Sequence, residues 1–575
     1  MAYAFAECKK EITSILKRAL SKLNYECEIK LEIPPEDMGD FAFPCFSLAP
    51  IAKKSPQDIS KEIAKKIEKN KWIAKVEAKG SYVNFFANDE QLTSYELKSI
   101  ISLEKKYGNL EKKNKKVIIE HTSANPNGPL HVGRARNPII GDTLVRLYRA
   151  AGYNVESQFY LDDMGKQVAI LTWGTNNINP KKIPKTDYDK PDHLSVGFYQ
   201  VANARMEKED QVSEEIGEII KKLEHGESKT IELVHKAYAP VLEGMNESLN
   251  RINICIDKYV PESQFVKDKS VETVVQKLKK TKYCNEEEGA YYLDLEPFGV
   301  KGRNTKFFFL RKDETTLYAT RDIAYHLWKA KNADMLINIL GEDHKLESKQ
   351  VEIALNLLGE KKVPTVVFYS FVSLPGGKMS TRRGRVVYLD ELIDECIERA
   401  HNEVKKRRGN ELSKTKMKEI AEIVGTGALR YNIIKVQPEK DMVFKWEEAL
   451  NFEGNAVPFI QYAHARACSI LSKRKEKGNT GDFNLLKHES EKQLVKQLAR
   501  FPLTIEAAST GFKPHLIAVY LYETASAFNQ FYRDCPVLPE KNSALRNARL
   551  TLVDATRIVL HNGLDLLGIT APEEM

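Results

Sequence analysis

Two stretches hold residues whose types and spacing suit work on phosphate. The first runs from Glu120 to Arg134, EHTSANPNGPLHVGR, and follows the apolar run VIIE at 117–120. Ser123, Pro126, Gly128, Pro129 and two asparagines are turn formers that break a strand. After Gly133, Ile140, Leu144, Leu147 and Ala151 recur at helical spacing, so the segment reads strand, loop, helix. That arrangement aims a helix N-terminus and free N–H groups at whatever sits above the sheet edge, which makes an anion site. His131 and Arg134 add side-chain donors, although each alone reads more simply as a helix-start histidine and a surface arginine. Pro138 requires the helix to start late or to bend.

The second stretch follows VVFYSFVSL and reads PGGKMSTRRG, residues 375–384. It is not a Walker A loop, because Val372 stands where the first glycine belongs and Met379 where serine or threonine belongs. A Gly-Gly turn presenting Lys378, Ser380, Thr381, Arg382, Arg383 and Arg385 is a cationic loop suited to a pyrophosphate leaving group. By itself it is also an ordinary solvated basic turn.

The elements around these stretches define the architecture. A chain of 575 residues exceeds one core and implies about three or four domains. Residues 7–23 carry a helical apolar rhythm, followed by alternating EIKLEI, a Gly39-Asp40 turn, the helix SKEIAKKIEK and strand-like YVNFFA. The lysine-rich EKKNKK, 111–116, reads as a solvated boundary. Candidate strands VIIE (117–120), VESQFYL (155–161), MLINIL (335–340) and VVFYSFV (366–372) alternate with helices, as in a parallel sheet with crossovers. A long polar interval at about 175–300 interrupts them and reads as an inserted domain. After Leu389 amphipathic helices take over to the end. The domains expected are 1–112, 113–400 with its insertion, a helical linker at 401–454, and an α-helical unit at 455–575.

Composition narrows the class. No stretch reaches the roughly 18 apolar residues of a membrane span. The N-terminus shows no basic segment leading an apolar run, so a cytoplasmic protein without membrane partners is expected. The eight cysteines are scattered singly with no C-x-x-C pair, which suits free thiols and no structural metal. A net charge of +8 permits a polyanionic partner without requiring one.

HVGR on the first crossover and KMS after a later strand resemble the two signatures of class I aminoacyl-tRNA synthetases, in that class's order. SANPNGPLHVG, LYATRDIAYHLWK (317–329), QYAHARACSIL (461–471) and the terminal LGITAPEEM are similar to segments of arginyl-tRNA synthetases. GDFAFPCFSLA and GSYVNFFA resemble that family's extra N-terminal domain, so the likeness spans nearly the whole chain. Two positions depart from the class: Arg134 replaces the usual histidine, and KMSTR replaces KMSK, a form that resembles variants within the arginine family.

The resemblance implies a multidomain α/β protein: an interrupted Rossmann-like parallel-sheet catalytic domain, a small α+β N-terminal domain contacting tRNA, and an all-α anticodon-binding domain. It implies a monomeric ligase that activates L-arginine with ATP, accompanied by Mg2+ and with no tightly bound metal, then transfers arginine to the terminal ribose of tRNA. Neither step needs a protein nucleophile, so catalysis rests on positioning and on phosphate charge. His131, Arg134 and Lys378 are the residues implied for that work, with Pro129, Gly133, Met379 and Ser380 around ATP. A guanidinium is all donors and calls for carboxylates. By likeness to the family, Asp322, Tyr318 and Glu262 meet it, while Glu120, Ser123, Asn125, His131 and Asp343 hold the other end of the amino acid. Read without the family, Asp322 serves equally well as a helix cap or an ion-pair partner of Arg321. Tyr462, His464 and Arg466 offer stacking and phosphate groups to RNA, though tyrosine and histidine on an amphipathic helix commonly pack inward. A class I lysyl enzyme, a catalytically inactive RNA-binding relative and a generic nucleotidyltransferase are the competing readings.

Overall fold

The structure is a computed structural model that describes residues 3–35, 38–68, 70–302, 305–373, 387–474 and 481–575. Lys378, Met379 and Ser380 lie outside the described residues.

The N-terminal unit forms around helix Ala4–Lys22, whose Phe5, Cys8, Ile12, Ile15, Leu16 and Leu20 are buried on one face. That face covers an antiparallel sheet of β1 (Phe41–Pro44), β2 (Ile73–Lys79) and β3 (Tyr82–Ala87), with β3 in the centre. Gly39 turns the chain at φ +103°, and a Cβ there would come within 2.8 Å of the Phe85 carbonyl. Asp40 then accepts from the Ala87 N–H at 2.8 Å. EIKLEI is not a strand; it contributes a single bridge, Glu32 to Ala42.

The main sheet is parallel and has five strands: β4 (Lys116–Glu120), β5 (Asn154–Leu161), β6 (Lys258–Pro261), β10 (Met335–Gly341) and β11 (Thr365–Tyr369), in spatial order β11-β10-β4-β5-β6. The edge strand β6 lies inside the polar interval 175–300, a four-residue KYVP bounded by Asp257 and Glu262. Between β5 and β6 stand the helices Lys166–Asn177, Pro191–Met206, Asp210–Glu224 and Ser228–Arg251. Between β6 and β10 stand the short helices Ser263–Lys267 and Ser270–Lys279, a second antiparallel sheet of β7 (Cys284–Glu287), β8 (Ala290–Asp294) and β9 (Lys306–Leu310), and the helix Tyr318–Asn332. Two-residue strands β12 (Val372–Ser373) and β13 (Met442–Val443) pair beyond the main sheet.

The C-terminal third is helical, from Leu389–Arg408 to Ser543–Leu566. It is bound to the sheet domain by buried polar contacts. Arg430 is 1% exposed and donates to the carbonyls of Leu567 and Ile252 and to the Asp142 carboxylate, each at 2.6 Å. Tyr107 donates to the Leu498 carbonyl at 3.1 Å and to the buried carboxylate of Glu96. No described helix is long and apolar enough to cross a membrane. All eight cysteines are free.

His464 sits inside this helical unit, buried, with Nδ1 donating to the Pro572 carbonyl at 2.8 Å. Burial pushes its pKa from 6.5 down to about 4, partly opposed by that hydrogen bond. The unfolded chain therefore takes up this proton first as the pH falls below about 6.5, and the contribution is lost toward the folded value. Wild type should lose about 2 kcal/mol more stability than His464→Gln between about pH 7 and 5. Parallel denaturant titrations at the two pH values measure the difference; equal losses in both proteins would contradict the buried, neutral histidine.

Candidate active site

Doubly wound sheets bind ligands outside the carboxyl ends of their strands, where the strand order reverses. Here that point lies between β4 and β10, whose Glu120 and Asn338 are register partners. A cavity of about 300 Å³ opens there. Glu120, Ser123 and Asn125 reach it from the end of β4, Tyr318 and Asp322 from the helix Tyr318–Asn332, Arg134 from the first signature and Asp343 from beyond β10. The sequence names all of these residues, and the fold brings them into one chamber.

The chamber's acids are held by a buried network that the sequence reading does not single out. Lys329 is fully buried and donates to Glu120 at 2.6 Å and to the Asn338 side-chain oxygen at 3.0 Å. The Asn338 amide donates in turn to His326 Nε2 at 2.8 Å. His326 Nδ1 therefore carries the proton, which it gives to the Asp322 main-chain oxygen at 2.8 Å, with the Asp322 carboxylate at 3.1 Å. Burial alone would raise the Asp322 carboxyl, but His326, Lys329 and His344 outweigh it and hold the group below its ordinary value. Asp322 is thus an ionised carboxylate at the wall of a cavity. Lys329 and His326 could have been found from spacing: Tyr318, Asp322, His326 and Lys329 recur at i, i+4, i+8 and i+11, one stripe of the helix.

The first signature forms a one-turn 3-10 helix, Val132–Arg134, which leads into helix Arg136–Ala150. Pro138 falls in the first turn, where a missing N–H leaves no bond unmade, so the helix starts late as the proline requires. His131 caps the turn, its Nδ1 accepting from the Gly133 N–H at 3.1 Å. Nε2 is left to carry the proton. Burial first, then Arg134, lowers the His131 pKa, so the ring is neutral. A Cβ at Gly133 would stand 2.9 Å from this ring, which is why glycine follows Val132. The expected free N–H groups are not all free. Gly133, Arg134 and Ala135 spend theirs on His131 Nδ1, His131 O and Val132 O.

The turn is fixed from three sides. Val132 N donates to Val387 O at 3.0 Å and Leu389 N to Leu130 O at 2.7 Å, so the chain beyond the second signature is paired with the first. Fully buried Arg136 donates to the carbonyls of Ser370, Gln437 and Lys440 at 2.7–2.9 Å. Asn137 accepts from Thr122 N at 2.6 Å and donates to Ile339 O at 2.9 Å, tying the β4 loop to β10. Thr122 and Ser123 hold φ of +71° and +36°, backbone strain kept by those bonds.

The remaining sequence candidates fall elsewhere. Glu262 is fully buried behind the wall, 3.0 Å from Arg321 and accepting from Tyr160 at 3.2 Å. Burial pushes its carboxyl well above the ordinary range, opposed by Arg321. Pro129, His131 and Gly133 border the signature turn and do not line the cavity. Far away on helix Val457–Ser472, Tyr462 is exposed and Arg466 lies over its ring at 4.7 Å and over Tyr532 at 5.2 Å. His464, on the same helix, is withdrawn into the core by its bond to Pro572, so it faces no RNA and braces the helix from behind.

Removing Lys329 alone would leave Glu120 buried without a counter-charge, at a cost of about 3–5 kcal/mol. Lys329→Met should therefore lower stability by that amount in denaturant unfolding. A loss under about 1 kcal/mol would mean that the pair is solvated.

Comparison with known proteins agrees with this geometry. The family model for class I tRNA synthetases (R), catalytic domain, matches residues 96–446. The DALR anticodon binding domain matches 460–575, and the arginyl tRNA synthetase N terminal domain matches 9–87. The arginine–tRNA ligase of Methanocella arvoryzae is 48% identical, over 98% of this chain and 99% of its own. That of Methanosarcina barkeri is 43% identical, over 99% and 100%. The Thermus thermophilus arginyl-tRNA synthetase structure superposes with a TM-score of 0.83 at 27% identity, covering 98% of this chain and 100% of its own. With the first signature joined by main-chain bonds to residues 387–389 beside an acidic cavity, and with all three domain models in place, the chain belongs to the arginyl-tRNA synthetase family of class I arginine–tRNA ligases.

Proposed function

We propose that arginine is activated in the cavity between β4 and β10, with its guanidinium against Asp322 and Tyr318 and its amino-acid end toward Glu120, Ser123, Asn125 and Asp343. The observation that carries this reading is Asp322 itself, a carboxylate kept ionised by His326, Lys329 and His344 at the wall of the cavity. A guanidinium entering there exchanges water for charge-assisted hydrogen bonds. Glu262 acts from the second layer, setting Tyr160 and Arg321 rather than meeting the substrate directly.

ATP enters as its magnesium complex over the first signature. The neutral His131 offers Nε2–H, and Arg134 offers a permanent charge. Pro129 and Gly133 shape the turn, and Lys378, Met379 and Ser380 of the second signature complete the phosphate site. Arginine's carboxylate oxygen attacks the α-phosphorus, forming the acyl–phosphate bond while the bond to pyrophosphate breaks. A terminal ribose hydroxyl of tRNA then attacks the carbonyl, and AMP leaves. Protein groups stabilise the shifting phosphate charge and supply no covalent intermediate.

The division into 1–112, 113–400, 401–454 and 455–575 assigns tRNA contact to the first, third and fourth units around a monomeric catalytic domain, in the cytoplasm. Tyr462 and Arg466 are the stacking pair offered to a single-stranded loop, with exposed Tyr532 beside them.

Two measurements test the reading. Asp322→Ala should cut tRNA-dependent, arginine-dependent pyrophosphate exchange by at least about a hundredfold, as loss of a charge pair worth about 3 kcal/mol or more requires. Exchange near the wild-type rate would remove arginine from this cavity. Tyr462→Ala should raise the KM for tRNA about tenfold, the size of one lost base stack, and leave the KM for arginine and ATP unchanged; an unchanged tRNA KM would place the RNA elsewhere.

A further inference from the structure

Asp390 stands one residue beyond the stretch that pairs with the first signature, in the first turn of helix Leu389–Arg408. It is buried, and helices inserted between β5 and β6 close over it. Lys190, at the start of helix Pro191–Met206, donates to Oδ2 at 2.7 Å. His193, in the first turn of that helix, brings Nε2 to 3.1 Å from the same oxygen. From the end of helix Ser228–Arg251, Ser248 Oγ donates to Oδ2 at 3.0 Å and Arg251 to Oδ1 at 3.4 Å. One turn further along, Asp394 accepts from Arg251 and, at 2.6 Å, from Tyr188.

Asp192, His193 and Asp390 lie close enough together to have the makeup of a metal site. Side chains already supply the positive charge there. Lys190 lies between the two acids, 2.7 Å from Asp390 and 3.6 Å from Asp192, and Arg251 adds a second cation. Burial alone would raise the Asp390 carboxyl, but the bonds from His193 and Lys190 outweigh it and hold the group at about 2. The carboxylate is therefore ionised, and His193 Nε2 is the donor. A Cβ at Gly244 would fall 2.2 Å from Asp192 Oδ1, so the two inserted helices meet closely at this cluster. The cluster is an internal clamp.

Its place in the chain gives the clamp a use. Leu389, next to Asp390, donates to Leu130 O at 2.7 Å, and Val132 donates to Val387 O at 3.0 Å. His131 lies between those two bonds, in a bridge with Tyr388. His193 touches the linkage twice: its ring packs edge-on against Tyr388 at 5.0 Å while Nε2 holds Asp390. Tyr188 stacks on the same imidazole at 4.5 Å.

We infer that the inserted helices take part in adenylate formation: through Lys190, His193 and Asp390 they fix residues 387–390 and, across the ladder, the position of His131 over ATP. His193 is the pivot and acts as a positioning residue. An apolar contact would join the same helices without choosing a register, whereas a buried carboxylate met by donors from two helices allows one. If Asp390 shifts, Leu389 moves with it and the bond to Leu130 is lost. A displacement of about 1 Å at a reacting group can cost about a hundredfold in rate.

This inference rests on the placing of ATP over the first signature, and the experiment separates the two. A glutamine carries its amide nitrogen about as far from the backbone as imidazole Nε2, and an asparagine does not. Full-length His193→Asn, His193→Gln, Arg251→Gln and His131→Ala are compared with wild type in pyrophosphate exchange with tRNA present, titrating ATP and arginine separately. His193→Asn should lower kcat/KM for ATP at least about tenfold with the arginine KM within about twofold, and His193→Gln should recover to within about threefold of wild type. Arg251→Gln, at the partly exposed edge of the clamp, should lower the same parameter about threefold. Hydrogen exchange should quicken in His193→Asn at residues 128–134 and 387–392 and stay unchanged in β10. Wild-type kcat/KM for ATP in His193→Asn overturns the inference. So does an arginine KM raised more than about twofold, which marks damage to the whole chamber, or a His193→Gln protein no better than His193→Asn. If His193→Asn does not fold, Arg251→Gln decides, and wild-type ATP kinetics there overturn the inference. Wild-type kinetics in His131→Ala overturn the placing of ATP and the inference with it.

Discussion

The pair of Lys329 and Glu120, 2.6 Å apart and closed to solvent, is the constraint on which the site depends. It joins the helix carrying Tyr318 and Asp322 to the strand whose end begins the first signature. Asn338, on the neighbouring strand β10, takes the second donor of the same ammonium. One buried charge therefore sets the spacing of three elements around the cavity. Such a pair contributes little net stability, because desolvating two ions offsets most of their attraction. Its value lies in geometry: neither partner can move without stranding the other. The cation–π contact of Lys329 over Tyr325 at 4.1 Å, and the stacking of Tyr325 on Tyr160 at 4.2 Å, extend that rigidity to β5.

The same economy governs the link between the first signature and residues 387–389. Main-chain bonds pair Leu130 and Val132 with Leu389 and Val387, so segments about 250 residues apart in the chain share a short ladder. Arg136 locks the ladder to the end of β11 and to residues 437–440, the entry to the helical third of the chain. Arg430 closes a second connection, from the helix Lys414–Ile434 to Asp142 and to the last turn near Gly568, where a Cβ would lie 2.3 Å from the guanidinium carbon. Buried arginines bonded mainly to carbonyls thus hold domains together. Three nitrogens of Arg430 and two of Arg136 find fixed acceptors, while Arg136 Nε finds none, and an apolar interface would not specify the contact so closely.

The parts legible in the sequence were those with local periodicity or turn chemistry. The strands β4, β5, β10 and β11, the break at Ser123 to Pro129 and the late start imposed by Pro138 all follow from neighbours in the chain. Strand β6 does not, because KYVP is four residues in a lysine- and glutamate-rich interval and its apolar environment comes from β5. EIKLEI alternates like a strand but makes one bridge, Glu32 to Ala42 of the edge strand β1. Asp322 and Tyr318, which line the cavity, were named by likeness, whereas the burial of Glu262, and of His464 in the helical unit, was not legible. Both lie on segments whose exposure is decided by distant partners, Pro572 in one case and Arg321 in the other. The polar stripe from Tyr318 to Lys329 was present in the sequence, but it signals a site only once the helix is known to face β4 and β10.

Arg134 marks where the departure from the class acquires a physical sense. The N–H groups of Gly133, Arg134 and Ala135 are consumed within the turn, so backbone donors there contribute little to a phosphate site. Side chains must then supply the charge. His131 is neutral and gives one donor, because its other nitrogen caps the turn. A second neutral histidine would leave the site with two uncharged donors facing a polyanion. Arginine brings a guanidinium that stays protonated at any working pH and reaches further than an imidazole. It also lines the cavity with Asp322 and Asp343, so under the proposed reading it would face the carboxylate of arginine as well as the phosphates. The one residue can therefore draw together the two anionic groups whose mutual repulsion opposes adenylate formation.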